Sequence, residues 1–172
     1  MTKPAGPRPE DSRLARMIER MLTQRACLEW AIREVDALPG PLLEVGLGKG
    51  RTYDHLRRLA PNREIYCFDR DVHATPDCVP DSQHLELGDF RATLPRAVSR
   101  IGGSAALVHA DVGSDDGERD ARLTREIAPM IASLLRPGGL LITDRAMEST
   151  AWIARALPES VGRWEYFIYQ RR

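Results

Sequence analysis

The sequence predicts an α/β fold, a doubly wound and mostly parallel sheet of about six strands with helices on both faces and a helical segment ahead of the first strand. Three observations predict it. From Leu42 onward, short apolar runs of strand type alternate with segments of helical periodicity. Each of the first, second, fourth and fifth runs carries or meets an acidic residue at or near its end: Glu44, Asp69, Asp111 and Asp144. The first run also opens into three alternate glycines, Gly46, Gly48 and Gly50, and then a helix, which is the turn such folds place under a ligand.

Composition bounds the function. A chain of 172 residues with 42% hydrophobic and 29% charged residues is long enough to bury a core without disulfides or metal. Formal net charge is zero, so a large polyanion such as nucleic acid is not the favoured partner and a small molecule is. Cys27, Cys67 and Cys78 are too few and too scattered for a disulfide framework or a zinc site, and no metal is expected. No apolar run could cross a bilayer and no signal-peptide core begins the chain, so a cytoplasmic protein without a membrane partner is expected.

Taken in order, residues 1–11 are a proline-rich lead-in expected to be disordered, and 12–172 a single domain. Ser12 is a fair N-cap for helical spacing that runs through Leu14, Met17, Ile18, Met21 and Leu22 to Val35, as one helix or as two with a break near Thr23 and Gln24. Trp30 on this segment faces either the cofactor or the core. The first strand, from Leu42, ends in the acidic Glu44, and Tyr53, Leu56 and Leu59 mark the helix after the glycines. Ile65 to Phe68 is a β-branched and aromatic strand ending at Asp69. Pro76 and Pro80 leave room only for a short or distorted crossover.

His84 to Leu87 is the third strand, followed by Gly88, Asp89 and Phe90 and a helix from about Leu94 and Pro95. Ala105 to Asp111 is the fourth strand, ending in the polar groups His109 and Asp111, with a polar and acidic loop from Gly113 to Asp120 that reads as solvated. An amphipathic helix from Leu123 stops at Arg136-Pro137-Gly138-Gly139, and Leu140 to Thr143 is the fifth strand. A helix from Ser149 to Leu157 and a strand from Trp164 to Tyr169 complete the chain, leaving the far edge of the sheet for a homo-oligomer to cover.

The glycine spacing narrows the ligand. A dinucleotide loop needs a third glycine where Arg51 stands, and a P-loop needs a hydroxyl where Gly50 stands. The pattern acidic-x-Gly-x-Gly-x-Gly in Glu44, Gly46, Gly48 and Gly50 resembles the class I S-adenosylmethionine (SAM) dependent methyltransferases, as does Leu135-Arg136-Pro137-Gly138-Gly139 before a fifth strand. The resemblance covers roughly residues 40–145, is nearest to short bacterial SAM methyltransferases of undefined substrate, and implies a Rossmann-like fold.

It implies SAM as cofactor, S-adenosylhomocysteine as product, and a small-molecule methyl acceptor. Glu44 and the glycines would hold the amino-acid end. Asp69, nineteen residues after Gly50, would accept the ribose hydroxyls, while Asp89 and Phe90 meet the adenine and His109 and Asp111 lie beside the cofactor. His109 and Asp144 are the candidate catalytic groups, and Arg145 the candidate contact to an anionic group of the substrate. The chain reads as leaving no room for the two-strand hairpin that usually closes the sheet, a departure from the family's seven-strand form. A SAM or nucleoside binder without turnover, and an NAD-binding oxidoreductase, are the alternatives.

Overall fold

The computed structural model describes residues 8, 10–114, 116–161 and 164–172. Residues 1–7 and 9 of the expected lead-in, and Asp115 of the acidic loop, lie outside them. Parallel strands need a crossover between them, and the alternating sequence supplies it. Strands β1 (Leu42–Val45), β2 (Ile65–Asp69), β3 (Leu85–Leu87), β4 (Ala105–Ala110) and β5 (Leu135–Thr143) are parallel. Helix α1 (Arg13–Glu34) precedes β1, and α2 (Arg51–Leu59), α3 (Phe90–Ile101) and α4 (Gly117–Leu134) lie in three of the four crossovers.

Two further strands, β6 (Trp152–Arg155) and β7 (Phe167–Arg171), continue the sheet beyond β5 in antiparallel sense, giving the order β3-β2-β1-β4-β5-β7-β6. The sheet therefore has seven strands rather than about six, and the closing hairpin, expected to be missing, is present as β6 and β7. The segment read as a helix from Ser149 to Leu157 holds β6 instead. It pairs antiparallel with β7, and Trp152 packs into that pairing: its indole donates to Met147 O at 3.1 Å and its ring lies 5.6 Å from Tyr169 of β7.

Of three smaller expectations, the start of α3 shifts, while the single long α1 and the shortened crossover are as read. α1 is one unbroken helix, with the Ser12 hydroxyl accepting from Ala15 N at 3.1 Å. α3 begins at Phe90 rather than near Leu94, because the Asp89 carboxylate accepts from Arg91 N at 2.8 Å and caps it there, and Pro95 sits inside the helix. The crossover between β2 and β3 is reduced to a 3-10 turn at Pro76–Cys78.

Period two along each strand divides the core. Leu43, Val45, Val108, Ala110 and Leu141 face α3 and α4, where Leu94, Ile127, Ile131 and Leu134 meet them. Leu42, Leu107, Leu140 and Ile142 face α1 and α2, where Cys27, Leu28, Ala31 and Leu56 close the opposite layer and Trp30 is half-buried against it. The first turns of α1 stand clear of this core, with Leu14, Met17, Ile18 and Leu22 all exposed. Its buried stretch begins at Thr23 and Gln24.

Candidate active site

The same periodicity places polar groups where the strands end. Glu44 lies two residues beyond Leu42, on the same face of the strand, and so points to the α1 side, and the β1–β4 register pairs it with His109. His109 is in turn paired with Ile142 of β5. Two residues further along, on the same face and just past the ends of the strands, Asp111 and Asp144 come opposite one another.

Glu44 and His109 are both fully buried, with His109 Nδ1 2.9 Å from Glu44 Oε2. A carboxylate can only accept, so Nδ1 carries the proton. Glu44 also accepts from the Thr52 hydroxyl, which ties the start of α2 to the strand below it. His109 Nε2 lies 2.7 Å from the hydroxyl of Tyr166, a residue of the segment leading into β7, and Gln24 Nε2 donates to that hydroxyl at 3.3 Å. Burial alone would lower the His109 pKa. The Glu44 carboxylate, helped by Asp111 and Asp144, outweighs it and holds the imidazole above its usual value.

Gln24 Nε2 also donates to Asp111 Oδ2 at 2.8 Å, and Arg20 forms an ion pair with the same carboxylate. Burial works against the charge on Asp111, but Arg20 and His109 overcome it and keep the carboxyl below its ordinary range. Asp144 has the opposite fate. Burial, with the negative charge of Asp111 beside it, pushes its carboxyl up to about 7, and Arg145 and Arg20 only partly offset this. Of two neighbouring aspartates, one is held charged and the other is poised to carry a proton near neutrality.

Arg145 belongs to the wall around this pair. Its guanidinium is 2.6 Å from Asp120, a buried carboxylate that also accepts from Ser114 N and Ser114 Oγ, each at 2.7 Å. Asp120 comes from the loop that reads as solvated in the sequence; it is 2% exposed and holds the loop to Arg145. Gly113 lets the wall close, for a Cβ there would come within 2.9 Å of Asp144 Oδ2 and 3.0 Å of an Arg145 nitrogen.

Three adjoining cavities open over these strand ends. One of about 230 Å³ lies under Arg20, Met21 and Gln24 of α1 and over Gly46, Gly48 and Asp111. A second, about 330 Å³, runs from Gly46 and Gly48 past Asp69 to Phe90 and is bounded by Asp111 and Gly113. A third, about 750 Å³, is lined by Arg20, Gly113, Ser114, Asp144, Arg145, Trp164 and Glu165. The first two share Gly46, Gly48, Asp111 and Gly113, and Gly113 borders all three.

The glycines differ in what they do. Gly46 has φ 97°, and a Cβ there would meet Asp111 O at 2.1 Å, so it permits the close approach of the β1 and β4 ends. Gly48 faces open space, and its N–H donates to Asp69 Oδ2 at 2.8 Å. Gly50 packs against Cys78 and Ala74 and lines none of the three cavities.

The sequence-predicted residues thus separate into groups. Gly46, Gly48, Asp69, Phe90 and Asp111 line cavities, and Asp144 and Arg145 line the third. Glu44 and His109 lie beneath the floor, and Asp89 is turned toward Arg91 at the start of α3. The reading missed Arg20, Gln24 and Tyr166. Gln24, a polar residue on the buried side of an apolar helical stripe, was the available signal. Among the described residues no cluster of His, Cys, Asp or Glu could hold a metal ion.

A glycine loop between strand and helix, an acid at the end of β2 and a groove joining them across the strand ends define a nucleoside-cofactor enzyme of the Rossmann-like methyltransferase class. The chain belongs to the S-adenosyl-L-methionine methyltransferase family whose profile matches residues 11–171, and its cofactor is SAM. It is similar to a solved S-adenosyl-L-methionine methyl transferase from Silicibacter pomeroyi DSS-3, at 45% identity over 95% of this chain and 100% of that one, with a TM-score of 0.89.

More distant likenesses bear on the fold alone. TrmN from Thermus thermophilus matches at 18% identity over 90% of this chain and 53% of its own, with a TM-score of 0.60. The mitomycin 7-O-methyltransferase MmcR matches at 16% identity over 92% of this chain and 56% of its own, with a TM-score of 0.56. No curated protein matches the chain.

Proposed function

We propose that this methyltransferase acts on a small-molecule acceptor seated in the 750 Å³ cavity, with Asp144 as the general base. The observation that carries the reading is the position of Asp144, a carboxyl poised to exchange a proton near neutrality, in the wall of a cavity that adjoins the cofactor groove. The volume is in the range of small-molecule sites, and the zero net charge of the chain favours such an acceptor over nucleic acid.

Bound SAM supplies an electrophilic methyl group on a good leaving group. The chain's own residues do the rest. The backbone from Gly46 to Gly48, with Lys49, Arg51 and Thr52, lines the smaller cavity and suits the amino-acid end. Asp69 lies where the ribose hydroxyls would reach it, and the Gly48 and Arg70 N–H bonds that its oxygens accept hold it in place while leaving lone pairs free. Phe90 offers an apolar face to the adenine.

Asp89 is the less suitable adenine partner, since its carboxylate already caps α3 and pairs with Arg91. His109, with both ring nitrogens bonded inside the protein, acts on the site through Tyr166, Gln24 and Asp111 rather than by touching the acceptor. Arg145 is committed to Asp120, which suits a wall residue better than bidentate capture of an anion.

Two measurements test this. Asp69→Ala is expected to weaken SAM and S-adenosylhomocysteine alike by about 10- to 100-fold in calorimetric titration, since it removes charge-assisted hydrogen bonds. Unchanged affinity would remove Asp69 from the site. Formation of S-adenosylhomocysteine from SAM with an extract of small metabolites tests the acceptor class. Turnover confined to the macromolecular fraction would overturn it.

A further inference from the structure

Resting on the reading of Asp144 as the base, we propose that the positive charge of bound SAM drives the proton off Asp144, so that the base is charged only while the methyl donor is in place. The argument is one of placement. SAM joins an amino-acid half to an adenosine half through a sulfonium, and the two cavities that suit those halves overlap at Gly46, Gly48, Asp111 and Gly113. Directly over Gly113 stands the Asp144 carboxylate, since a Cβ on that glycine would lie 2.9 Å from Asp144 Oδ2. The junction of the two halves therefore falls against the aspartate pair.

The groups around Asp144 explain why an added charge decides its state. Asp111, from the end of β4, repels its charge; Arg20 of α1 and Arg145, the next residue along, favour it. Each of these cations is already divided with another carboxylate, Arg20 with Asp111 and Arg145 with Asp120. His109 and Tyr166 lie below, and Glu165 shares the cavity wall. Among the described residues, no cation faces Asp144 alone.

A sulfonium would be the first charge near Asp144 that is not already shared. The proton leaves through the open cavity to solvent. In the reaction the acceptor's proton moves to Asp144, the methyl carbon bonds to the acceptor atom, and the C–S bond breaks with its electron pair going to sulfur. The thioether product is neutral there, so it no longer opposes the protonated acid, which matches the proton just received.

The difference between SAM and S-adenosylhomocysteine supplies a test that needs no acceptor. Each is titrated into the protein at pH 7 by calorimetry in buffers of different ionisation enthalpy, which counts protons released on binding. SAM is expected to release about half a proton more than S-adenosylhomocysteine from the wild-type protein, because an acid titrating near 7 is half protonated there. In Asp144→Asn that excess is expected to vanish while both ligands still bind, which also shows that the variant is folded and subtracts any proton from the ligand's own amine.

Equal release with the two ligands, or an excess that survives in Asp144→Asn, would overturn the inference while leaving the cofactor site intact. Binding of neither ligand to the wild-type protein would overturn both this inference and the site reading beneath it.

Discussion

Asp144→Asn is expected to abolish turnover and to stabilise the protein. Removing a general base typically costs 10²- to 10⁴-fold in rate, and the amide cannot take the acceptor's proton. The stability gain follows from the sign of the shift. The folded carboxyl titrates at about 7, while the same group in the unfolded chain titrates near 3.9. Between those values the native state holds more protons than the unfolded state, so stability falls as pH rises through the window, and above 7 the full cost of a charged carboxylate beside Asp111 is present.

Three pH units set a ceiling of about 4 kcal/mol, and solvent in the open cavity reduces this to about 2 kcal/mol. Asparagine carries no charge and removes that cost. For a chain of this size the melting temperature is expected to rise by about 4–8 °C at pH 8, with the gain shrinking steadily toward pH 4. Scanning calorimetry across that range, paired with a rate assay, checks both halves. A variant destabilised equally at every pH would show that Asp144 is a structural acid and not a base held at a cost in stability.

The sites at which the sequence was readable share a physical reason. Gly46, Gly48 and Asp69 are dictated by backbone geometry and by strand ends, which local pattern reports directly. Asp111 and Asp144 were legible as strand-end acids, but not the opposite directions in which their pKa values move, which depend in part on the position of Arg20 in a helix some ninety residues from Asp111 in sequence. His109 was legible as a residue type and not as a buried one. An alternating strand shows a polar residue at the same interval whether it faces a cavity or the underside of a loop.

β6 shows the limit most plainly. Trp152, Ile153, Ala154 and Arg155 are too short a run to separate period 2 from period 3.6, and what makes them a strand is the antiparallel partner Phe167–Arg171 on the far side of a loop. Asp120 failed for a related reason. A run of acids at a helix start normally faces water, and here the guanidinium of Arg145, from another strand end, together with the N–H and hydroxyl of Ser114, draws this one under cover.

Glu44→Ala is expected to be among the most destabilising single changes in the chain, by about 3–5 kcal/mol, because it strips the partner from a buried imidazole and the acceptor from Thr52 in one step. His109 is held above its usual pKa chiefly against burial by Glu44, so the stabilisation of the pair is full below pH 6.5 and is lost as pH rises through the elevated folded value. The cost of Glu44→Ala in urea denaturation should accordingly be greater at pH 6 than at pH 9. The double variant Glu44→Ala/His109→Ala should lose less than the two single changes together, since removing both partners leaves no unpaired charge behind.

Cofactor affinity separates this bracing role from direct contact, which the family resemblance implies for Glu44. Glu44 lines none of the three cavities, and Glu44→Gln keeps a side chain of the same shape with an oxygen that can accept from His109. Under the bracing role, Glu44→Gln binds S-adenosylhomocysteine within about threefold of the wild-type protein, a margin of about 0.6 kcal/mol, while its stability falls. If the carboxylate instead held the cofactor's amino group, affinity would fall about 10-fold or more, the usual cost of losing a charged hydrogen-bond partner.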